Sequence, residues 1–175
     1  MGEKQYRFVA CTSYQFHQVY LDTFRGGEAL LTSIKNALTS VSLFNATTIE
    51  GKLEILIWGK DSGYEMDIML NWNTIAHAAL NWHLEVVKYL RQLDISWNKQ
   101  TCANAAKNGH LELLKWARAN QCPWDEYWTC TLAAENGHLE LLKWVRVNQC
   151  PWIAWTCAFA AVNGHLEVLK WVRVN

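Results

Sequence analysis

The chain has 175 residues, of which 51% are hydrophobic and 18% charged, a composition that suits a folded domain and excludes disorder throughout. Its 16 basic residues balance 16 acidic ones, so no net charge draws it to nucleic acid or to an anionic membrane. The sequence shows no signal-peptide pattern and no run of about 18 apolar residues. We therefore expect an intracellular protein, cytoplasmic or nuclear, that binds neither nucleic acid nor membranes.

Residues 1–41 do not belong to any repeat and are predicted to form helices. The stretch KQYRFVACTSYQFHQVYLDTF ends at Gly26-Gly27, and apolar residues then recur at helical spacing from Leu30 to Val41. We expect this segment to be a helical cap on the N-terminal side of residues 42–175.

Residues 42–175 contain about five copies of one motif. Three are nearly identical: TCANAAKNGHLELLKWARANQCPW from Thr101, TCTLAAENGHLELLKWVRVNQCPW from Thr129 and TCAFAAVNGHLEVLKWVRVN from Thr156. A weaker copy starts at Thr74, and GKLEILIWGK from Gly51 keeps half of another. The glutamates of the motif recur after 31, 27, 28 and 27 residues, which is too regular for chance. They are Glu54, Glu85, Glu112, Glu140 and Glu167.

Each unit is predicted to form two short helices. In the fourth unit, Asp125 caps a helix that runs to about Asn136, and Gly137 supplies the left-handed residue at its end. The second helix starts at His138. In the second unit Trp82 replaces the glycine, so we expect Asn81 to be left-handed or the turn to distort, at about 1 kcal/mol or more.

The second helix of each unit is predicted to bury one side and to expose the other to solvent. In the fourth unit the buried residues are Leu141, Leu142, Trp144 and Val145, and the solvated ones are Glu140, Lys143 and Arg146. Because a unit of this size cannot bury its own apolar face, the units are expected to stack into a solenoid. Stacking places most of the eleven tryptophans in two columns.

The run T-C-x-x-A-A-x-N-G-H-L-E-x-L-K-W resembles the ankyrin repeat, which has Thr-Pro-Leu-His, paired alanines, Gly-His and an aliphatic helix. The closest form is the short tryptophan-rich variant with Cys-Pro-Trp linkers, found in algae, oomycetes and large DNA viruses. The resemblance implies an all-α, ankyrin-like helix-turn-helix repeat solenoid that binds proteins. The period is about five residues below the usual 33, so the projecting finger is expected to shrink to the Gln-Cys-Pro-Trp turn.

The cysteines and histidines follow the repeat and not a metal-ligand spacing, so we predict no metal site and no cofactor. Cys102, Cys130 and Cys157 are expected to lie one repeat apart, about 10 Å, too far for a disulfide. Cys122 and Cys150 occupy equivalent turns, and all these thiols are expected to be reduced. The histidine that starts each second helix is expected to bond a backbone group.

No catalytic constellation is evident. Cys11 with His17 and Cys130 with His138 lack a third orienting group and an oxyanion-stabilising loop. We therefore predict a protein that is not an enzyme and acts as a protein–protein interaction scaffold or adaptor.

Two alternatives stay open. FVACTSYQFHQVY faintly resembles the last helix of an F-box, which would imply a substrate-receptor subunit of a ubiquitin ligase. The stop at Asn175, where Gln-Cys-Pro-Trp would come next, would suit a truncated or decayed repeat gene. An uncapped last unit is also expected to favour self-association.

The binding surface is predicted from the positions at which the copies differ, because agreement between copies reflects the demands of packing. The copies differ most around the first helix of each unit, and Tyr127 is the strongest hot-spot candidate, since tyrosine gives a large contact at low entropy cost. The candidate partner-binding residues are Lys99, Asp125, Glu126, Tyr127, Thr131, Glu135, Ile153 and Phe159.

Overall fold

The computed structural model describes residues 40–61, 66, 70–151 and 153–174, and all the regular elements in them are helices. The predicted all-α class is confirmed for these residues. Nearly all of the predicted N-terminal cap, and with it the F-box-like stretch, lies outside the described residues. The helices are α1 (Ser40–Ile49), α2 (Leu53–Asp61), α3 (Trp72–Leu80), α4 (Leu84–Gln92), α5 (Lys99–Lys107), α6 (Leu111–Ala119), α7 (Glu126–Glu135), α8 (Leu139–Val147), α9 (Ala154–Val162) and α10 (Leu166–Val174).

The odd-numbered helices, called the first helices below, contact one another in chain order. Helix α1 packs on α3, α3 on α5, α5 on α7 and α7 on α9, and each also packs on the helix that follows it. The paired alanines of the motif make this close approach possible, since Ala105, Ala106, Ala133 and Ala134 are all fully buried. The first helices therefore form a continuous row.

The even-numbered helices, called the second helices, bury the predicted apolar stripe. In α8, Leu141, Leu142 and Val145 are buried, while Trp144 is half-buried. Leu113 and Leu114 are fully buried in α6. One cluster of buried residues runs from Phe44 to Val168 and forms the core.

Glycine ends most first helices as predicted. Gly109 and Gly137 have φ of 73° and 74°, and the N–H of His110 donates to the Ala105 carbonyl at 2.8 Å, closing the turn. In the second unit Trp82 itself takes the left-handed conformation, with φ of 62°, and Asn81 does not, with φ of −100°. The expectation for Asn81 was wrong. The backbone N–H of His83 donates to the Ala78 carbonyl, and this turn requires the left-handed conformation at Trp82, the residue after Asn81.

Each histidine at the start of a second helix links its unit to the preceding one. Nε2 of His110, His138 and His165 lies 3.0, 3.0 and 2.8 Å from the carbonyl oxygens of Leu80, Lys107 and Glu135, respectively. A carbonyl only accepts, so Nε2 donates. Burial lowers the pKa of His110, and the neutral ring still donates this bond. The predicted structural role is confirmed.

The arginines of the second helices are not simply solvated, which corrects the expectation for Arg146. Arg118 donates from Nη1 to the Cys122 carbonyl at 2.7 Å, and its guanidinium lies 4.5 Å from the centre of the Trp124 ring. Arg146 is half-buried and donates to the Cys150 carbonyl at 3.2 Å. These carbonyls belong to the turn after the helix, where a cation is favoured by the helix dipole.

The cysteines also differ from expectation. Cys130 and Cys150 form a disulfide with a Cα–Cα distance of 6.2 Å, whereas both were expected to be reduced. The expectation compared equivalent positions in neighbouring units. The structure brings together two positions of one unit, the first-helix cysteine and the turn cysteine 20 residues later. The equivalent Cys102 and Cys122 are free and buried, and the hydrogen bond with Cys122 together with burial raises the pKa of the Cys102 thiol.

Candidate partner-binding groove on the first helices

An apolar groove lies between α7 and α9, on the exposed side of the row of first helices. Its volume is about 400 Å³, and nearly all of its lining is apolar. We call this site the aromatic groove. Its lining residues are Tyr127, Trp128, Thr131, Ile153, Trp155 and Phe159.

The wall on α7 is positioned by the cap of that helix. The Asp125 carboxylate accepts from the backbone N–H of Trp128 at 3.0 Å, which starts α7 at Glu126. Tyr127 and Trp128 therefore lie in the first turn of the helix. Thr131 follows Tyr127 after about one turn and lies on the same side.

The wall on α9 is a stacked aromatic pair. Trp155 and Phe159 are four residues apart on one helix, so their side chains lie one above the other. Their ring centres are 5.7 Å apart, with an interplanar angle of 28°. Ile153 is the N-cap residue of α9 and also lines the groove.

The polar groups at the floor of the groove already have hydrogen-bond partners. Thr131 is only 1% exposed, and its hydroxyl donates to the Tyr127 carbonyl at 2.8 Å. The same hydroxyl lies 3.3 Å from that of Thr156 on α9. Because these polar groups already have partners, the floor gives a ligand little besides apolar contact.

The walls are unusually exposed for aromatic residues. Tyr127, Trp128 and Trp155 keep 54, 55 and 63% of their surface exposed. Three adjacent rings of this size make a contiguous apolar patch, which on a soluble domain typically marks a binding surface.

A second, more polar depression adjoins the groove across Trp128. Its volume is about 300 Å³, and Lys99, Asp125 and Leu132 are among its lining residues. The Lys99 ammonium lies 3.2 Å from the Asp125 carboxylate. The backbone N–H of Trp128, and then Lys99, lower the pKa of Asp125. Trp128 therefore separates an apolar site from a polar one.

Four of the predicted residues meet in the aromatic groove, namely Tyr127, Thr131, Ile153 and Phe159. Lys99 and Asp125 line the adjoining depression, and Asp125 also has the structural task of capping α7. Glu126 is exposed at the start of α7, and Glu135 is half-buried at its end. Neither lines the groove.

Sequence reasoning missed Trp128 and Trp155. Both directly precede the motif threonine, at the position of Asn73 and Gln100 in other units. The change from polar to aromatic at this position was the available signal.

A further apolar surface lies on the last two helices. Val162 and Leu166 are 81 and 58% exposed, and Val168 is the one buried residue of α10. This surface suits the predicted self-association, which stays a prediction.

No protein-family model matches the chain, and no curated protein matches it. Within the residues that the structure describes, no helix is both long enough and apolar enough to cross a membrane.

Proposed function

We propose that this protein is a protein-binding module that recognises its partner through the row of first helices, with the aromatic groove as the centre of the contact. The observation that carries the proposal is the cluster of exposed rings at Tyr127, Trp128 and Trp155 over a satisfied floor. Tyrosine and tryptophan are the residues most enriched at interface hot spots.

An ankyrin-like repeat solenoid is the architecture that we propose for it. The contacts of the first helices in chain order support this interpretation, as do the recurring left-handed glycines and the histidine links between units. In such an array each unit contacts only its neighbours, and the row of first helices offers a long surface to a partner.

The test is a comparison of two double variants that differ in the helix face they alter. Tyr127→Ala/Trp155→Ala removes the groove walls, and Glu140→Ala/Lys143→Ala alters the solvated face of α8. Proteins retained from native lysate by the wild type and by the second variant, but not by the first, are candidate partners. Affinity for the purified candidate should fall at least about tenfold in the groove variant.

Folding is checked in parallel by circular dichroism and chemical denaturation. All four residues are largely exposed or in surface ion pairs, so stability should change little. Arg146 is left out of the control because it bonds the Cys150 carbonyl. If the control variant lost binding and the groove variant kept it, the partner would lie on the second helices and the proposal would be wrong.

We also propose an intracellular location, cytoplasmic or nuclear. Cys102 and Cys122 lie in contact as free thiols and can report the redox state of the compartment, whereas the Cys130–Cys150 disulfide counts against a fully reducing one. Alkylation of the denatured protein taken directly from its cells should label Cys102 and Cys122. A disulfide between them would contradict the proposed location.

A further inference from the structure

We propose that the aromatic groove binds a peptide segment that presents a large apolar side chain beside a lysine or arginine. This proposal rests on the proposed function and names the chemistry of the partner. The shape of the groove and the charges on the two helices that form it support this ligand.

The groove is sized for an anchor side chain and not for a flat protein surface. Its volume of about 400 Å³ is near the lower end of ligand sites. The stacked rings of Trp155 and Phe159 form one wall, and Tyr127 stands on the opposite helix. An aromatic or large aliphatic side chain can insert between them and bury its surface against both.

The charged side chains on this part of the chain are all acidic. Between Gln121 and Leu142 the sequence contains Asp125, Glu126, Glu135 and Glu140 but no lysine or arginine, and α9 has no charged residue. Asp125 is paired with Lys99, and Glu140 with Lys143. That leaves the two carboxylates at the ends of α7.

Glu126 and Glu135 are these two carboxylates, and neither is in an ion pair within the described part of the chain. Glu135 is four residues beyond Thr131, so it lies on the same side of α7 as the groove floor. A cation close to the inserted side chain would therefore meet acidic groups at either end of α7, whereas an acidic or phosphorylated segment would be repelled.

The same charges disfavour a second copy of this chain in the groove. A symmetric dimer places the same patch of both subunits face to face. Glu126 and Glu135 of each copy would then approach those of the other. A separate segment with basic residues has no such penalty.

The experiment uses the full chain and a phage-displayed library of random dodecapeptides. Selected peptides should contain Trp, Phe or Leu within a few residues of Lys or Arg. In the best synthetic peptide, Lys or Arg→Glu should weaken binding by about fivefold or more, as measured by fluorescence anisotropy. Raising the salt concentration should reduce that difference.

Variants separate the two parts of the proposal. Trp155→Ala, at a residue that is 63% exposed, should abolish binding of both the best selected peptide and its Lys or Arg→Glu version. Glu126→Gln/Glu135→Gln should bring the affinities for the two peptides to within about twofold of each other. The charge-matched control Glu140→Gln/Glu167→Gln, on the second helices, should leave the preference for the basic peptide intact.

The contrary outcomes are distinguishable. If both peptides bound equally and Trp155→Ala removed both, the basic flank would be wrong and the proposed function would stand. If no selected peptide depended on Trp155, the groove would be the wrong site and the proposed function would lose its support. If the chain sedimented as a dimer that Trp155→Ala made monomeric, a second copy would be the occupant and this inference would be overturned.

Discussion

The second helices repeat one design, whereas the first helices differ from unit to unit. Glu85–Lys88, Glu112–Lys115, Glu140–Lys143 and Glu167–Lys170 are the same ion pair four times, at 2.6 to 2.8 Å. On the first helices the residue before the motif threonine is Asn73, Gln100, Trp128 and Trp155 in turn. The surface of the second helices is therefore nearly the same in every unit, and a surface that distinguishes one unit from another lies on the first helices.

The largest effect is expected from the buried leucines of the second helices. Leu114 and Leu142 are fully buried, so Leu114→Ala or Leu142→Ala should cost about 2–5 kcal/mol through the cavity left behind. Val147→Ala, at an 84% exposed position of α8, is the control and should change stability by less than about 0.5 kcal/mol. Chemical denaturation measures both, and equal effects would contradict the division between the two sides of the helix.

Two glycines test whether the units interlock. Gly137 and Gly164 have nearly the same φ, 74° and 73°, but a Cβ on Gly137 would lie 2.5 Å from Nδ1 of His165, while one on Gly164 would meet nothing within 4 Å. Gly164→Ala should cost about 1–2 kcal/mol for the left-handed conformation alone. Gly137→Ala should cost about 2–4 kcal/mol, because the histidine must also move. Equal losses in thermal unfolding would show that the histidine contact is unimportant.

Arginine and lysine of the same helix should differ. Arg118→Ala removes the bond to Cys122 and the contact with the Trp124 ring, at about 1–2 kcal/mol. Lys115→Ala breaks only an exposed ion pair with Glu112 and should cost a few tenths of a kcal/mol. Urea denaturation gives the free energy of unfolding of the two variants. A larger loss for Lys115→Ala than for Arg118→Ala would show that Arg118 is not the cation that stabilises the fold.

The smallest effect concerns the cap of α7. The Trp128 N–H and Lys99 lower the pKa of Asp125, so the carboxylate stabilises the fold at neutral pH and loses that contribution as the pH falls below about 4. Asp125→Ala should cost about 1 kcal/mol at neutral pH.

Asp125→Asn is the control for the charge, since asparagine is an equally good cap. It should keep most of the stability at neutral pH and reduce the loss in acid. Stability measured across the acid range checks this, and an unchanged acid profile in both variants would exclude Asp125 as a contributor.

The repeat phase allowed much of the fold to be predicted. Because the motif recurs at a nearly fixed period, reading Gly137 and His138 in one unit located the equivalent turns of the neighbouring units, whereas the cap at Asp125 was predicted for its own unit only. The prediction failed where a residue departs from the motif, as at Trp82, and where two different positions of one unit meet, as with Cys130 and Cys150. The turn at Trp82 and the Cys130–Cys150 contact both depend on how the two helices of one unit pack together. A comparison of equivalent positions between units does not reveal that packing.

The candidate site was predicted in part for the same reason. Variation between copies identified Tyr127, Thr131, Ile153 and Phe159, which the structure brings together. Trp128 and Trp155 were missed because packing between units accounted for most of the tryptophan excess, and these two residues, which lie outside the packing columns, were not included among the variable positions. Their exposure depends on how α7 and α9 pack against each other. A shift of one position along a helix moves a side chain from the packed side to the exposed side.

The histidine bonds bear on how the protein opens. Each one joins a unit to the unit before it, so α9 and α10 are attached from one side only within the described residues. Helix α10 buries a single residue, whereas α5 buries six in succession from Thr101 to Ala106. Amide hydrogens of α10 should therefore exchange with solvent first and those of α5 last, so that transient opening removes the helix that supports α9, and with it one wall of the aromatic groove, before it reaches the centre of the row.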